Sequence, residues 1–314
     1  MFFTISYYLL ERETTMKDLS VVVPTMNEEY APIIIRQIYA ELGKDTEVIV
    51  IDKSTPKMRK PLEATGARVV VQETRGYENA LMEGFRLAKG EIIASIDPDG
   101  TYAVEDLKRV VHELRNDGEF AFVAGSRLER LPKDAMTPTI RFGNWFLKSM
   151  FNILYRSKMG DVMNGIFAMK RGAFDTIRYL DAYRAGTPFF EIELVRRGFK
   201  IRSIPISYKP RSGSESKISK AKPFYGVTIA YHAIRYARDY SPLLIFGSIG
   251  VVLMIAGIVL GGLVFANYLQ AGTLTEIGRA LIAFMLVVVG FLSVISGLIL
   301  DLLLEVEKSI VRKR

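Results

Sequence analysis

Two aspartates one residue apart, Asp97 and Asp99, have the side-chain type and spacing that most clearly suggest chemistry. They follow Ile92-Ile93-Ala94-Ser95-Ile96, an apolar run as long as one buried strand, and they precede Gly100, which can turn the chain. Ligands of open α/β sheets bind outside the carboxyl ends of the strands. Two carboxylates there need a countercharge, and Mg²⁺ or Mn²⁺ takes one or two carboxylates together with water and substrate phosphates. The alternative is an ordinary acidic turn.

Strands and helices alternate around this stretch. Further strands are predicted at Leu19–Val23, Glu47–Ile51, Arg68–Gln72 and Phe120–Ala124. Helices are predicted from about Glu29 to Leu42 and from Tyr77 to Lys89. The alternation is typical of an α/β fold with a mostly parallel, doubly wound sheet. Its strand ends should bring Asn27, Glu28 and Asp52 into the crevice of the aspartate pair. The first strand is not followed by a Gly-x-Gly-x-x-Gly loop, which disfavours a dinucleotide fold.

The apolar residues, 49% of 314, are concentrated near the carboxyl terminus. Leu243–Ala266 and Ala280–Leu300 carry no charge over 24 and 21 residues. Each run is long enough, as a helix, to cross a hydrocarbon core of about 30 Å, so we predict two transmembrane helices. Lysines and arginines precede the first run and follow the second, whereas the connecting loop carries only Glu276 and Arg279. This asymmetry predicts that both termini and the domain before the spans are cytoplasmic.

Charge and composition narrow the choice of partners. The net charge of +8 lies largely beside the predicted spans, which fits membrane lipids or a phosphorylated lipid better than nucleic acid. The absence of cysteine excludes disulfides and thiolate metal sites. His112 and His232 each lack a second histidine at ligand spacing, and we interpret both as structural. Gly257 and Gly261 form a small-xxx-small pattern that predicts helix pairing within a chain or in a homo-oligomer.

Ile140–Tyr155 combines apolar, aromatic and basic residues at helical spacing. The pattern, which includes Arg156, predicts a helix that lies in the membrane interface. The alternative is a core helix of the soluble domain. A second amphipathic segment, Phe224–Tyr240, leads into the first span. Glu191 and Glu193 would share a face on a strand and would not share one on a helix.

A set of short motifs extends over about residues 19–219. It comprises Val23-Pro24-Thr25-Met26-Asn27-Glu28-Glu29, Arg75-Gly76 with Ala80, Gly84, Ala88 and Gly90, Asp97-Pro98-Asp99-Gly100, Gly125-Ser126-Arg127, Arg141 with Asn144, Asp161-Val162-Met163-Asn164-Gly165, Glu191-Ile192-Glu193, and Arg211 with Glu215-Ser216-Lys217. Together these motifs resemble the family 2 inverting glycosyltransferases, in particular dolichol-phosphate mannose synthase and related polyprenyl-phosphate glycosyltransferases. The resemblance implies a GT-A type nucleotide-sugar-binding domain.

The resemblance also implies roles for individual residues. Asp97 and Asp99 would bind Mg²⁺ or Mn²⁺ on the donor diphosphate, and Asp52 would help to hold the nucleoside. Further donor contacts are expected from Pro24, Asn27, Glu28, Arg75, Gly76, Glu193 and Ser216. The sequence Asp52-Lys53-Ser54-Thr55 departs from the usual family pattern. The donor therefore stays open between GDP-mannose, which we favour, and UDP-glucose.

The expected reaction transfers one hexose to a polyprenyl phosphate. A phosphomonoester is largely ionised at neutral pH, so it needs cationic clamping more than a strong general base. We expect Arg127 and Arg141 to clamp it, with Arg211 and Lys217 on a mobile basic loop and Asp99 at the metal. The alternative classes are a processive polysaccharide synthase, whose Gln-x-x-Arg-Trp motif is absent, a nucleotidyltransferase, and a non-catalytic sensor or scaffold.

This interpretation divides the chain into five segments. They are an apolar extension over 1–15, a catalytic domain over 16–222 that includes the interface helix 140–156, a juxtamembrane helix over 223–241, two transmembrane helices within 242–304, and a basic tail over 305–314.

Overall fold

The computed structural model describes residues 18–129, 138–155, 157–162, 164–177, 188–209, 242–273 and 276–312. The chain divides into two compact units, Met1–Ala230 and Tyr231–Arg314. Several predictions lie outside the described residues. They concern the apolar extension over 1–15, Arg211, Ser216, Lys217, His232 and the segment Phe224–Tyr240.

A seven-stranded sheet forms the centre of the first unit. Its strands are β1 Leu19–Thr25, β2 Glu47–Asp52, β3 Arg68–Val71, β4 Ile92–Ile96, β5 Phe120–Ser126, β6 Ile166–Lys170 and β7 Lys200–Pro205. They lie in the order β3-β2-β1-β4-β6-β5-β7. All share one direction except β6, which runs antiparallel between β4 and β5. The predicted α/β fold with a mostly parallel sheet is confirmed.

The reversed direction of β6 matters for the site. Because β6 is antiparallel to β4 and β5, the residues that precede β6 lie at the edge where β4 and β5 end. The segment Asp161–Gly165 is therefore brought to the carboxyl edge of the sheet. Apolar patterning marks a buried strand without marking its direction, so the sequence did not predict this arrangement.

Helices cover both faces of the sheet. They are α1 Ala31–Leu42, α2 Pro56–Glu63, α3 Tyr77–Leu87, α4 Val104–Asn116, α5 Pro138–Tyr155, α6 Arg171–Phe174 and α7 Pro188–Arg196. Side chains alternate along β1, so Val21 and Val23 pack with the buried sides of α1 and α4, and Val22 lies under α3 on the other face. There the ring of Phe85 contacts those of Phe167 and Phe190 with centroids 5.9 and 5.4 Å apart.

The second unit contains two long helices, α8 Pro242–Ala271 and α9 Ile277–Arg312. By length and composition, α8 and the part Ile277–Val306 of α9 could each cross a membrane, which agrees with the two predicted spans. The pair packs through small residues. A Cβ added at Gly250 would lie 2.4 Å from the carbonyl oxygen of Gly290, and one added at Gly257 would lie 2.8 Å from that of Ala283. Gly257 thus supports pairing within the chain, and pairing between chains stays a prediction.

Gly84 lets α3 approach the sheet closely, because a Cβ there would lie 2.3 Å from Cγ1 of Val22 and 3.2 Å from Cγ1 of Ile51. We expect Gly84→Ala to destabilise the first unit, since overpacking costs about 1–3 kcal/mol and exceeds the gain in helix propensity. The midpoint of thermal unfolding, followed by circular dichroism in detergent, should fall by a few degrees.

Gly172→Ala is the matched control, because a Cβ at Gly172 would meet no atom within 4 Å. It should leave the midpoint unchanged or raise it slightly. Equal midpoints for both variants would contradict the close approach of α3 to the sheet.

Candidate active site

Most of the predicted site residues lie at one edge of the first unit. The neighbouring parallel strands β2, β1 and β4 end there side by side, and β5 ends at the same edge beyond β6. β1 runs further than predicted, through Pro24 to Thr25. Pro24 has no N–H to donate, and it lies beyond Val22, where the ladder between β1 and β4 ends.

Asn27 joins the loops that follow β1 and β2. Its backbone N–H donates to Ser54 Oγ at 2.7 Å, and its Oδ1 accepts from the backbone N–H of Thr55 at 2.9 Å. Its φ of 51° is left-handed, a conformation that asparagine tolerates better than most residues. Asn27 itself is exposed and the neighbouring Glu28 is buried. The loop after β1 is therefore held in one shape at the site.

Asp52 ends β2 as a fully buried carboxylate. Its Oδ2 accepts from Arg59 Nε at 2.6 Å and its Oδ1 accepts from the backbone N–H of Ser54 at 3.0 Å. Arg59, on α2, also donates to the carbonyl oxygen of Ser54 at 3.1 Å and is partly exposed. Arg59 is therefore the more exposed member of this ion pair. The role of Asp52 stays a prediction, and Arg59 is a residue that sequence reasoning missed.

The loop from β3 to α3 carries Arg75 and Gly76. Gly76 caps α3 with a φ of 120°, which requires glycine, and its carbonyl oxygen accepts from Gln72 Nε2 at 2.7 Å. Glu83 accepts from the backbone N–H groups of Glu73 and Thr74 at 3.1 and 2.9 Å. Burial alone would raise the pKa of Glu83, but these hydrogen bonds lower it. Arg75 is exposed at the tip of this anchored loop.

Asp97 and Asp99 follow β4 and are both half-buried. Oδ1 of Asp97 accepts from the hydroxyl of Tyr77, the first residue of α3, at 2.6 Å. Burial and the proximity of Asp97 raise the pKa of Tyr77, so the phenol keeps its proton and donates. Oδ1 of Asp99 accepts from the backbone N–H and the hydroxyl of Thr101 at 3.1 and 2.6 Å. Each carboxylate is thus oriented by a different donor.

The chemistry of this pair fits a hard divalent cation. The described residues contain no group of three or more His, Cys, Asp and Glu side chains that could hold a metal ion by itself. Mg²⁺ and Mn²⁺ accept one or two carboxylates when substrate phosphates complete the coordination. Asp97 and Asp99 therefore suit an ion that arrives together with a phosphorylated ligand.

Arg127 lies at the end of β5 and is buried. Its Nε and Nη2 donate to the two carboxylate oxygens of Asp161 at 2.6 and 3.1 Å, and its guanidinium lies 5.4 Å from the ring centroid of Tyr208. Burial alone would lower the pKa of Arg127, but Tyr102 and Asp161 raise it. The group therefore stays a cation.

Tyr102 and Gly165 connect the segment after β4 with the segment before β6 at this edge of the sheet. The backbone N–H of Gly165 donates to the Tyr102 hydroxyl at 2.9 Å, and its carbonyl oxygen accepts from the backbone N–H of Asp97 at 2.9 Å. The rings of Tyr102 and Tyr208 are 6.0 Å apart. Burial raises the pKa of Tyr102. Sequence reasoning gave no role to these tyrosines, and only the position of Tyr102 just after the Asp-x-Asp motif could have signalled one.

Glu191 and Glu193 lie on helix α7, which settles the choice between helix and strand. Both side chains are buried, and Glu193 forms an ion pair with Arg197. Asn164 Nδ2 donates to Glu191 Oε1 at 3.0 Å. Burial raises the pKa of Glu191 well above its usual value, with a further contribution from Asp161. Burial therefore favours the protonated form of Glu191, and the predicted donor contact of Glu193 stays a prediction.

Helix α5 has one buried and one exposed apolar side. Leu147 and Phe151 are buried, whereas Phe142, Trp145 and Phe146 are 63%, 58% and 49% exposed. The ring centroids of Phe142 and Trp145 are 5.8 Å apart, so the exposed rings form one aromatic patch. Arg141 is exposed on the same helix. Only part of this helix belongs to the core.

We expect Glu191→Gln to change how stability depends on pH. The raised pKa means that the folded state keeps a proton which the unfolded state loses above pH about 4.3, so stability falls as pH rises from there through the folded pKa. Thermal unfolding at pH 5 and pH 9 should show a smaller loss of stability in Glu191→Gln than in the wild type.

Glu63→Gln, at an exposed glutamate in the last turn of α2, is the control for this substitution. An identical loss of stability in the wild type and Glu191→Gln between the two pH values would contradict a neutral Glu191.

Known proteins resemble this chain in sequence. Residues 20–178, about half of the chain, match the model of glycosyl transferase family 2. The Haloferax volcanii protein named dolichyl-phosphate hexose transferase is 29% identical over 218 residues, which cover 68% of this chain and 91% of that protein. The low-salt glycan biosynthesis hexosyltransferase Agl6 of the same organism is 28% identical over 280 residues, which cover 85% of this chain and 67% of that protein.

Solved structures share the fold. Mannosyl-3-phosphoglycerate synthase from Rubrobacter xylanophilus aligns with a TM-score of 0.55 at 19% identity, over 70% of this chain and 74% of that chain. Glucosyl-3-phosphoglycerate synthase from Mycobacterium tuberculosis, in complex with Mn²⁺, UDP and phosphoglyceric acid, aligns with a TM-score of 0.51 at 19% identity, over 68% and 78% of the two chains. The match of half the chain to the family model, on a fold of the GT-A type, shows that the protein belongs to glycosyl transferase family 2.

Proposed function

We propose that this glycosyltransferase moves a single hexose from a nucleotide-sugar to a polyprenyl phosphate, with inversion at the anomeric carbon, at the cytoplasmic face of a membrane. The favoured donor is GDP-mannose and the alternative is UDP-glucose. One observation carries the proposal, namely that Asp97 and Asp99 share a sheet edge with the buried cation Arg127. Such an edge suits a reaction between two phosphorylated substrates.

The donor would occupy the β1, β2 and β4 side of this edge. Asp97 and Asp99 would hold Mg²⁺ or Mn²⁺ with the diphosphate, and the ion would stabilise the charge that develops on the leaving nucleoside diphosphate. The exposed Asn27 and Arg75 lie on loops with fixed hydrogen bonds, so they can contact the donor with little loss of conformational entropy. Arg59 would lie near the nucleoside, with Asp52 behind it.

The acceptor would bind on the Arg127 side. The second pKa of a phosphomonoester is near 6, so its oxygen is already a nucleophile at neutral pH. Arg127 uses two of its five N–H donors for Asp161 among the described residues, and a guanidinium suits bidentate recognition of phosphate. Its ion pair with Asp161 fixes the orientation of the cation before the acceptor arrives. Arg141, on α5, would be the second phosphate contact.

Three observations support a lipid acceptor. The aromatic patch of Phe142, Trp145 and Phe146 is typical of a surface that lies at the level of lipid headgroups. Helices α8 and α9 have the length and composition of membrane spans. A relative carries the name dolichyl-phosphate hexose transferase. The basic residues outside the two spans favour the cytoplasmic face.

The proposal is tested with membranes that contain the full-length protein, dolichyl or undecaprenyl phosphate, Mn²⁺, and either GDP-mannose or UDP-glucose. Mass spectrometry of the extracted lipid should detect a hexosyl-phosphate lipid with GDP-mannose. Product from UDP-glucose alone would show that glucose and not mannose is transferred, and the proposed reaction class would stand. No lipid product with either nucleotide-sugar would overturn the proposal in favour of a sensor or scaffold.

The same assay tests the aspartate pair. Asp97→Asn and Asp99→Asn should each lower the rate about 100-fold or more, because electrostatic stabilisation of the leaving group is worth several kcal/mol. Asp45→Asn, an exposed aspartate in the turn before β2, is the control and should keep the wild-type rate. Wild-type activity in either site variant, with folding verified by circular dichroism, would exclude the metal role of that aspartate.

The aromatic patch predicts a selective effect on the lipid substrate. Trp145→Ser combined with Phe142→Ser should raise the KM for polyprenyl phosphate about tenfold and leave the KM for the nucleotide-sugar unchanged, because apolar surface that rests in the bilayer interface is lost. Ile33→Ser, at an exposed apolar residue of α1, is the control. Equal changes in both KM values would argue against an interface role for α5.

A further inference from the structure

Tyr77 makes a contact with the aspartate pair that the sequence did not suggest. Its hydroxyl donates to Oδ1 of Asp97 at 2.6 Å across 20 residues of chain, and its side chain is half-buried. A hydrogen bond to a charged acceptor in a partly buried setting is stronger than one between neutral groups. The contact is therefore able to hold the Asp97 carboxylate in one rotamer.

Hydrogen bonds in the loop before α3 hold the backbone of Tyr77 in position. The preceding residue, Gly76, has a φ of 120° and is tied back to Gln72 by a hydrogen bond of 2.7 Å. Glu83, on the second turn of the same helix, accepts two backbone N–H groups of the loop before it. Both ends of the turn that carries Tyr77 are anchored. The anchored loop and the start of α3 therefore place the Tyr77 hydroxyl beside Asp97.

The other side of the Asp97 carboxylate is closed by Gly165. A Cβ added there would lie 2.0 Å from Asp97 Oδ2 and 2.6 Å from its Cγ, so a larger residue would displace the carboxylate. The carbonyl oxygen of Gly165 also accepts from the backbone N–H of Asp97 at 2.9 Å, and its own N–H donates to Tyr102. The carboxylate lies between the phenol of Tyr77 and the backbone of Gly165, with little room to rotate.

Asp99 is held in a different way. Its contacts with Thr101 are local, two residues along the chain, and belong to the turn after β4. Asp97 depends on a side chain from another element. The two aspartates of the pair are therefore not equivalent, and removal of Tyr77 should disturb only one of them.

We propose that Tyr77 is a positioning residue, which fixes the Asp97 carboxylate for the cation and diphosphate of the donor. The inference rests on the proposed function, because it assumes the donor site at Asp97 and Asp99. Partners that orient metal-binding carboxylates commonly contribute 10- to 100-fold to metal affinity. The hydroxyl of Tyr77 would act through Asp97 and would not contact the reacting atoms.

The test measures binding by full-length protein in detergent, with GDP and UDP as probes and with or without Mn²⁺, by isothermal titration calorimetry. Tyr77→Phe should weaken the affinity for GDP or UDP in the presence of Mn²⁺ about tenfold and leave metal-free affinity unchanged. In the Asp97→Asn background the same substitution should change affinity less than twofold, because its effect passes through Asp97. Tyr39→Phe, near the end of α1, is the control.

The outcomes separate this inference from the proposed function. Wild-type affinity in Tyr77→Phe, or an equal loss in both backgrounds, would overturn the role of Tyr77 and leave the donor site in place. No Mn²⁺-dependent gain in nucleotide affinity by the wild type would overturn both. If Tyr77→Phe does not fold, Gly165→Ala displaces the same carboxylate from its other side, and unchanged affinity for Mn²⁺ with GDP or UDP in that variant would also refute the proposal.

Discussion

The rest of the site depends on how two like charges are held at the end of one strand. Asp97 and Asp99 are carboxylates one residue apart, and both are half-buried. The phenol of Tyr77 and the hydroxyl of Thr101 supply one donor to each. These donors orient the carboxylates in the folded chain, so that the cost of ordering them for the proposed cation is met during folding. The position of Gly165 against Asp97 makes this orientation a property of the whole sheet edge.

A second network at the same sheet edge pairs opposite charges, whereas Asp97 and Asp99 carry the same charge. Arg127 and Asp161 form a buried ion pair with two hydrogen bonds, which satisfies much of the desolvation cost of both groups. Asn164 links this pair to Glu191 by donating to the Asp161 carbonyl oxygen and to Glu191 Oε1, each at 3.0 Å. Burial favours the protonated form of Glu191, which carries no charge. In that form Glu191 adds no further negative charge beside the Arg127–Asp161 ion pair.

The two networks meet because one strand is reversed. β6 brings Asp161, Asn164 and Gly165 to the carboxyl edge from the opposite direction, between the ends of β4 and β5. Gly165 then contacts Asp97 while Asp161 contacts Arg127. With β6 parallel, this loop would lie at the other edge of the sheet, and Arg127 would be left as a buried cation without a counterion. The direction of β6 therefore determines which side chains meet at the candidate site.

The sequence by itself determined the parts that depend on local pattern. Apolar runs, turn residues and uncharged stretches predicted the strands β1 to β5, the helices α1, α3 and α5, and the two long apolar helices, because burial and membrane thickness impose periodicity and length on a chain. The strands β6 and β7 were not predicted. It also showed acidic residues at or just after the ends of β1, β2 and β4. Because parallel strands end at the same edge of a sheet, their proximity could be predicted. The motif resemblance added Arg127 as a candidate site residue, which stays a prediction. It also added the family, which the match to residues 20–178 confirmed.

Only the tertiary structure decided the pairings over long distances in the chain. Tyr77 with Asp97, Arg59 with Asp52, and Arg127 with Asp161 join residues whose contact leaves no periodic mark in sequence. Protonation of Glu191 likewise depends on burial contributed by several elements at once. Side-chain type determines which chemistry is available to a residue. Desolvation and geometry, which exist only after the sheet has assembled, determine which charge remains and which way it points.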